Sequence, residues 1–122
     1  MTAVRPNAIL VVDDDEEQIM LLRLLLKRGG FPVNVADSAD AAMIAVERER
    51  PAVVVCDLNL PGASGASLCT RIRERFPENP PEVVLISASP EQLAEVGHFF
   101  TCSKAEIPVK LVPHLKMLLG EG

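Results

Sequence analysis

Ile9-Leu10-Val11-Val12-Asp13-Asp14-Asp15 decides the fold: four aliphatic residues without a polar break, then three acids. A run this short, apolar and β-branched reads as a strand buried on both faces. The pattern recurs. Val53-Val54-Val55-Cys56 ends in Asp57, Val83-Val84-Leu85-Ile86 ends in Ser87, and a less apolar stretch from Phe99 to Ser103 ends in Lys104. Ligands of an open parallel α/β sheet bind outside the carboxyl ends of its strands. If these runs are parallel, three carboxylates, one hydroxyl and one ammonium border one crevice. Such a set suits a divalent cation and a phosphoryl group.

Between the runs lie helical patterns. Asp15 can cap a helix whose first turn holds Glu16 and Glu17. Ile19, Leu22, Leu25 and Leu26 form its inward stripe, and Gly29-Gly30 end it. Val33-Asn34-Val35 alternates, which suits an edge strand. Ser38 caps a second helix to about Arg50, with Ala42, Ile44, Ala45 and Val46 as its apolar positions and Pro51 as its stop. Leu58 to Gly65 reads as a loop. A third helix runs from about Ala66 to Arg75, with Leu68, Ile72 and Phe76 inward. Pro90 to Val96 leaves room for only one or two helical turns. Pro108 opens a last helix with Leu111, Leu115, Leu118 and Leu119 buried, and Pro113 should kink it or delay its start. Strand and helix alternate five times, which implies a doubly wound parallel sheet of the flavodoxin-like order 2-1-3-4-5.

A chain of 122 residues is one domain's worth and buries a core without staples. It carries 12 basic and 17 acidic residues, and the net charge of −5 argues against non-specific binding to nucleic acid or to an anionic membrane. Cys56, Cys69 and Cys102 form no CxxC or zinc pattern and read as reduced, buried thiols of a cytoplasmic protein. Ile19 to Leu26 is too short and too broken by Arg23 to span a membrane. The N-terminus, whose short apolar run meets three acids directly, does not read as a signal peptide.

Magnesium takes oxygen ligands and keeps several waters, so two or three carboxylates at adjacent strand ends can hold it. Asp57, alone at the end of a central strand, can also act as a nucleophile and form an aspartyl phosphate. Lys104 adds a point charge for the phosphoryl oxygens and Ser87 a hydroxyl donor. Each residue has an ordinary reading too. Asp13 or Asp14 can cap a helix, Asp57 and Ser87 can be turn residues, and Lys104 can be a solvated surface lysine. Their shared placement, each at the end of a different strand, favours the site.

The chain resembles the receiver domain of two-component response regulators. The motifs are Val11-Val12-Asp13-Asp14-Asp15, Cys56-Asp57-Leu58-Asn59-Leu60-Pro61-Gly62 through Gly65, Leu85-Ile86-Ser87-Ala88, and Ser103-Lys104. The likeness runs from Ile9 to about Leu119, so that 1–122 is taken as one receiver domain with a core of about 8–119. The resemblance implies that Asp57 is the phosphoacceptor. It implies Mg²⁺ on Asp14, Asp57 and the Asn59 main-chain carbonyl, with Asp13 acting through water and facing Lys104. Ser87 would turn onto the phosphoryl group, and the Asn59 and Ser89 side chains would flank the path of hydrolytic water. The phosphoryl donor would be a histidine kinase or a histidine phosphotransfer protein. The domain would catalyse only its own phosphorylation and dephosphorylation, and would pass its signal to an output protein.

The departures cluster in one region. The segment from Ser87 to Lys104 is short for the family, so the fourth helix should be shortened or missing. Ala105 stands where proline commonly follows the lysine, and a non-proline cis bond costs about 3–4 kcal/mol, so trans is expected. Thr101 takes the position of the aromatic switch residue, and Phe100, one place earlier, points to the other face. These departures suggest an altered output face, with signalling through another surface or onward relay of the phosphoryl group.

Two other readings compete. One is a receiver-fold binding module that is not phosphorylated in use. The other is an aspartyl-nucleophile phosphatase, but Glu16-Glu17 follows the acids where that chemistry wants a small hydroxyl-bearing turn. His98 and His114 lack the setting of phosphotransfer histidines, and His114 is expected on an exposed helix face. Arg71, Arg73 and Arg75 read as a solvated face.

Overall fold

The computed structural model describes residues 7–96 and 99–120. Residues 1–6, 97–98 and 121–122 lie outside it, and with them the readings of His98 and of the extreme N-terminus. Seven strands and five helices follow in order: β1 Ile9–Val12, α1 Glu16–Arg28, β2 Val33–Ala36, α2 Ala39–Glu49, β3 Val53–Asp57, β4 Asn59–Leu60, β5 Ala63–Ser64, α3 Gly65–Arg75, β6 Glu82–Ser87, α4 Pro90–Glu95, β7 Phe100–Ser103 and α5 Val112–Leu118. The main sheet is parallel throughout, in the order β2-β1-β3-β6-β7. This is the expected 2-1-3-4-5 order once the two-residue strands β4 and β5 are set aside.

Alternation along the central strands divides the core in two. Leu10 and Val12, Val54 and Cys56, and Val83 and Leu85 face α2 and α3 through Val46, Leu68 and Ile72. Ile9 and Val11, Val53 and Val55, and Val84 and Ile86 face the other way, onto Leu22, Leu26, Leu111 and Leu115 of the α1 and α5 side. Both faces of β1, β3 and β6 are therefore covered, which is why their sequences are unbroken aliphatic runs. β2, with polar Asn34 exposed, forms one edge.

The caps fall where the residue types demand. The Asp15 carboxylate accepts the Glu17 N–H, and the Ser38 hydroxyl accepts the Ala41 N–H at 3.1 Å. Gly30, at φ +91°, follows α1 in a backbone region that favours glycine. The Lys104–Ala105 bond is trans like every peptide bond described.

Some expectations need correction. Ile44 is 56% exposed, because Ala42 and Val46 hold the buried face of α2 and residue 44 lies about 200° around from Ala42. The segment from Leu58 to Gly65 is not all loop, since β4 and β5 pair antiparallel across Pro61-Gly62. The last helix opens with Pro108 in its first turn, as expected, but that turn, Ile107–Leu111, is π-helical and follows a 3₁₀ turn at Lys104–Glu106; regular α-helix begins only at α5, the delay expected from Pro113. Pro113 has no N–H to give to a carbonyl four residues back, so the wide turn before it fits the missing bond. His114 is half-buried, with its ring edge-on to Phe100 at 5.2 Å between centroids. The arginine face is solvated as expected at Arg71 and at Arg75, which pairs with Glu47 at 2.8 Å on the surface; Arg73 between them is half-buried, its guanidinium 4.3 Å above the Phe99 ring.

Candidate functional site

Register brings the strand ends together. Val12 is level with Cys56, so Asp13 follows β1 at the height of Asp57 on β3. Asp57 is level with Ile86, and Ser87 with Ser103, so Ser87 lies one step beyond Asp57 on β6, and Lys104, just past the end of β7, lies two steps beyond it.

Asp57 is 4% exposed. Its Oδ1 accepts the Asn59 N–H at 2.8 Å, and its Oδ2 lies 3.2 Å from Lys104 Nζ. A buried carboxylate needs such partners. The loop after it is held by the Leu58 N–H, which donates to the Ile86 carbonyl at 2.8 Å. α3 then starts directly against the strand end. The Gly65 N–H donates to Leu58 O at 2.7 Å, and a Cβ on Gly65 would stand 2.3 Å from the Asp57 carbonyl oxygen. Only glycine permits that approach.

Asp13 is fully buried. Its Oδ1 accepts the Asp15 N–H at 3.0 Å, while its Oδ2 has no hydrogen-bond partner among the described residues. Burial pushes its carboxyl above the usual carboxylate range, and the charges of Asp57 and Asp14 push the same way; the Asp15 N–H and Lys104 pull it back. Asp14 is exposed beside it, near enough for its charge to be felt. The acids thus divide the roles open to them in the sequence: Asp15 caps α1, and Asp13 turns into the notch.

This donor set fits a hard cation. Oδ2 of Asp13 is a buried, orphaned oxygen near a second carboxylate, and such a pair is costly without positive charge between or beside it. Among the described residues no group of three or more Asp, Glu, His or Cys side chains is gathered as a full cage. Mg²⁺ needs no such cage, since it keeps several waters.

Ser87 is buried at the end of β6. Its hydroxyl donates to Gln92 Oε1 at 3.1 Å and accepts the Ser89 N–H at 3.0 Å. Gln92 Oε1 also accepts from Asn59 Nδ2 at 3.0 Å. Sequence reasoning missed Gln92: an exposed glutamine on a six-residue helix carries no periodic signal, and its partners are remote in the chain. Ser89 caps α4 by accepting the Gln92 N–H at 3.3 Å, and donates to Glu91. The three cysteines are buried and free, and the Cys56 thiol is held far above its usual value by its hydrogen bond with Cys69 and by burial.

A buried acid, a facing lysine and a second acid with an open oxygen can accept and stabilise a phosphoryl group. Known proteins similar to this chain show its family. The chain is 32% identical over 119 residues to the transcriptional activator protein ExaE of Pseudomonas putida, covering 92% of this chain and 55% of that protein. It is 30% identical over 90 residues to the sensory transduction protein RegX3 of Mycolicibacterium smegmatis, covering 74% of this chain and 38% of that one. It therefore spans about half or less of the length of these curated relatives. A response regulator receiver domain (CheY-like) from Methylobacillus flagellatus superposes with a TM-score of 0.83 at 25% identity, covering 95% of this chain and 99% of that one. A sensor protein from Polaromonas sp. JS666 gives 0.84 at 28%, covering 93% and 96%. Residues 9–108 match the response regulator receiver domain, and they include β1, β3, β6, β7 and all four strand-end residues of the notch; the chain belongs to that family of two-component signalling domains.

Proposed function

We propose that this receiver domain is a phosphoacceptor, and that Asp57 takes a phosphoryl group from a histidine kinase or a histidine phosphotransfer protein. The observation that carries the reading is the setting of Asp57: a buried carboxylate at a central strand end, paired with Lys104 at 3.2 Å and backed by Asp13 with an unpartnered oxygen. A carboxylate oxygen of Asp57 attacks phosphorus as the P–N bond of the donor breaks. The electron pair stays on the imidazole nitrogen, which takes up a proton. Lys104 remains beside the new acyl phosphate and offsets its charge. Mg²⁺ would be held by Asp14, Asp57 and the Asn59 main-chain carbonyl, with Asp13 acting through water, and would supply further positive charge. Hydrolysis returns the Asp57 carboxylate and inorganic phosphate, and the domain turns over no other substrate.

The output face is altered in this reading. α4 has only six residues, Thr101 is exposed where the family commonly places an aromatic, and Phe100 packs on His114 rather than towards the notch. Among the described residues no helix is long and apolar enough to cross a membrane.

The test is intact-protein mass spectrometry with acetyl phosphate. The expected result is a gain of one phosphoryl group that requires Mg²⁺ and is absent in Asp57→Asn. No gain in the wild type, with the fold intact, would favour a binding module that works without phosphorylation.

A further inference from the structure

The resting notch already spends the donor that a phosphorylated Asp57 would need. A serine hydroxyl has one proton. Here Ser87 gives it to Gln92 Oε1 at 3.1 Å, and the Ser87 oxygen is occupied in turn by the Ser89 N–H at 3.0 Å. The Asn59 side chain, two residues beyond the phosphoacceptor, gives an amide proton to the same Gln92 oxygen at 3.0 Å. Both lone pairs of that oxygen are thereby filled. Gln92 reaches it from the first turn of α4, which is anchored by the buried Leu93 and by the Ser89 cap.

We infer that Gln92 is a positioning residue: it draws Ser87 and Asn59 to the α4 side of the notch, and a phosphoryl group on Asp57 gains the Ser87 hydroxyl only when Gln92 releases it. The inference rests on the phosphoacceptor reading above and extends it to a residue outside the strand ends. Ser87 is buried and has few other partners, whereas Gln92 is exposed and finds water once released. The exchange therefore favours the phosphoryl oxygen, whose charge makes it the stronger acceptor. It also gives the switch a local end point. The first turn of α4 loses its tie to β6, and no aromatic at position 101 carries the change into β7.

Gln92→Met keeps the length and loses the acceptor, while Gln92→Glu keeps an acceptor. The rate of mass gain with acetyl phosphate and Mg²⁺ is measured in each, and again with Ser87→Ala. Gln92→Met should load about fivefold faster than wild type, the worth of one neutral hydrogen bond. Gln92→Glu should load no faster than wild type. The Gln92→Met effect should vanish in the Ser87→Ala background, because the two residues act through one bond. Amide hydrogen exchange over residues 90–95 should rise when the wild type is loaded and be raised already in unloaded Gln92→Met. Equal loading of Gln92→Met and wild type overturns the inference, as does an effect of equal size with and without Ser87. So does unchanged exchange over α4 on loading. A wild type that takes up no phosphoryl group refutes the phosphoacceptor reading itself, a separate outcome visible before any variant is compared.

Discussion

Replacing Gly65 by alanine probes the tightest joint in the molecule. The added Cβ would lie 2.3 Å from the Asp57 carbonyl oxygen and 3.0 Å from both the Asp57 carbonyl carbon and Leu58 Cα. Ordinary contact needs about 1 Å more than the shortest of these. Every atom it meets is backbone, so no side chain can swing aside. The start of α3 must back away from the end of β3, against the 2.7 Å bond from the Gly65 N–H to Leu58 O. Overpacking of this kind costs about 1–3 kcal/mol, and rigid backbone on both sides puts Gly65→Ala at the upper end. Loss of glycine's unfolded-state freedom returns up to about 1 kcal/mol. A net loss of about 2 kcal/mol should lower Tm by about 8 °C in a domain of this size. The chain has no Trp or Tyr, so far-ultraviolet circular dichroism in a urea titration is the natural assay. The same variant should load acetyl phosphate more slowly, because the carbonyl it displaces belongs to the proposed phosphoacceptor. A Gly65→Ala protein within 0.5 kcal/mol of wild type, about the spread of neutral surface changes, would refute the packing argument.

Three further outcomes follow from the same contacts. Asp13 has a raised folded-state pKa, so the folded chain binds the extra proton between the ordinary value of 3.8 and that raised value, and stability contributed by this group falls as pH rises through the window. Without metal, Asp13→Asn should therefore be more stable than wild type at neutral pH, with the gap closing below pH 3.8; urea melts across pH in chelator would detect the opposite order. Mg²⁺ at a hundredfold excess over its Kd should stabilise the wild type by about 2.7 kcal/mol, and a thermal melt of Asp13→Asn should show a smaller gain. Ser38→Ala removes the hydroxyl that accepts the Ala41 N–H and should cost about 1 kcal/mol in a chemical melt, with phosphoryl uptake unchanged.

The parts of this molecule that could be read from its residues are those with a period. Val53 to Cys56 and Val83 to Ile86 are buried on both faces, and a continuous aliphatic run is the direct trace of that. The capping serine and aspartate were readable because few residue types can do their work. The strand ends then marked the site, since topology alone makes Asp13, Asp57, Ser87 and Lys104 neighbours. What stayed hidden has no period. Strands of two residues, as in β4 and β5, cannot show alternation. The π-helical turn before α5 depends on how Pro108 and Pro113 share one turn of backbone, while the sequence shows only that something must give. Ile44 has the side chain of a core residue, but its angle around α2 turns it to solvent. Gln92 reached the site through a side-chain bond across 33 residues, a separation that leaves no local mark.

The central claim is that one acid among those in the notch carries the phosphoryl group. Loading the wild type from acetyl phosphate, reducing the acyl phosphate with borohydride and sequencing the peptides by mass spectrometry addresses it directly. The account predicts homoserine at position 57 alone. Homoserine at position 13 or 14, or at none of the three, would contradict it.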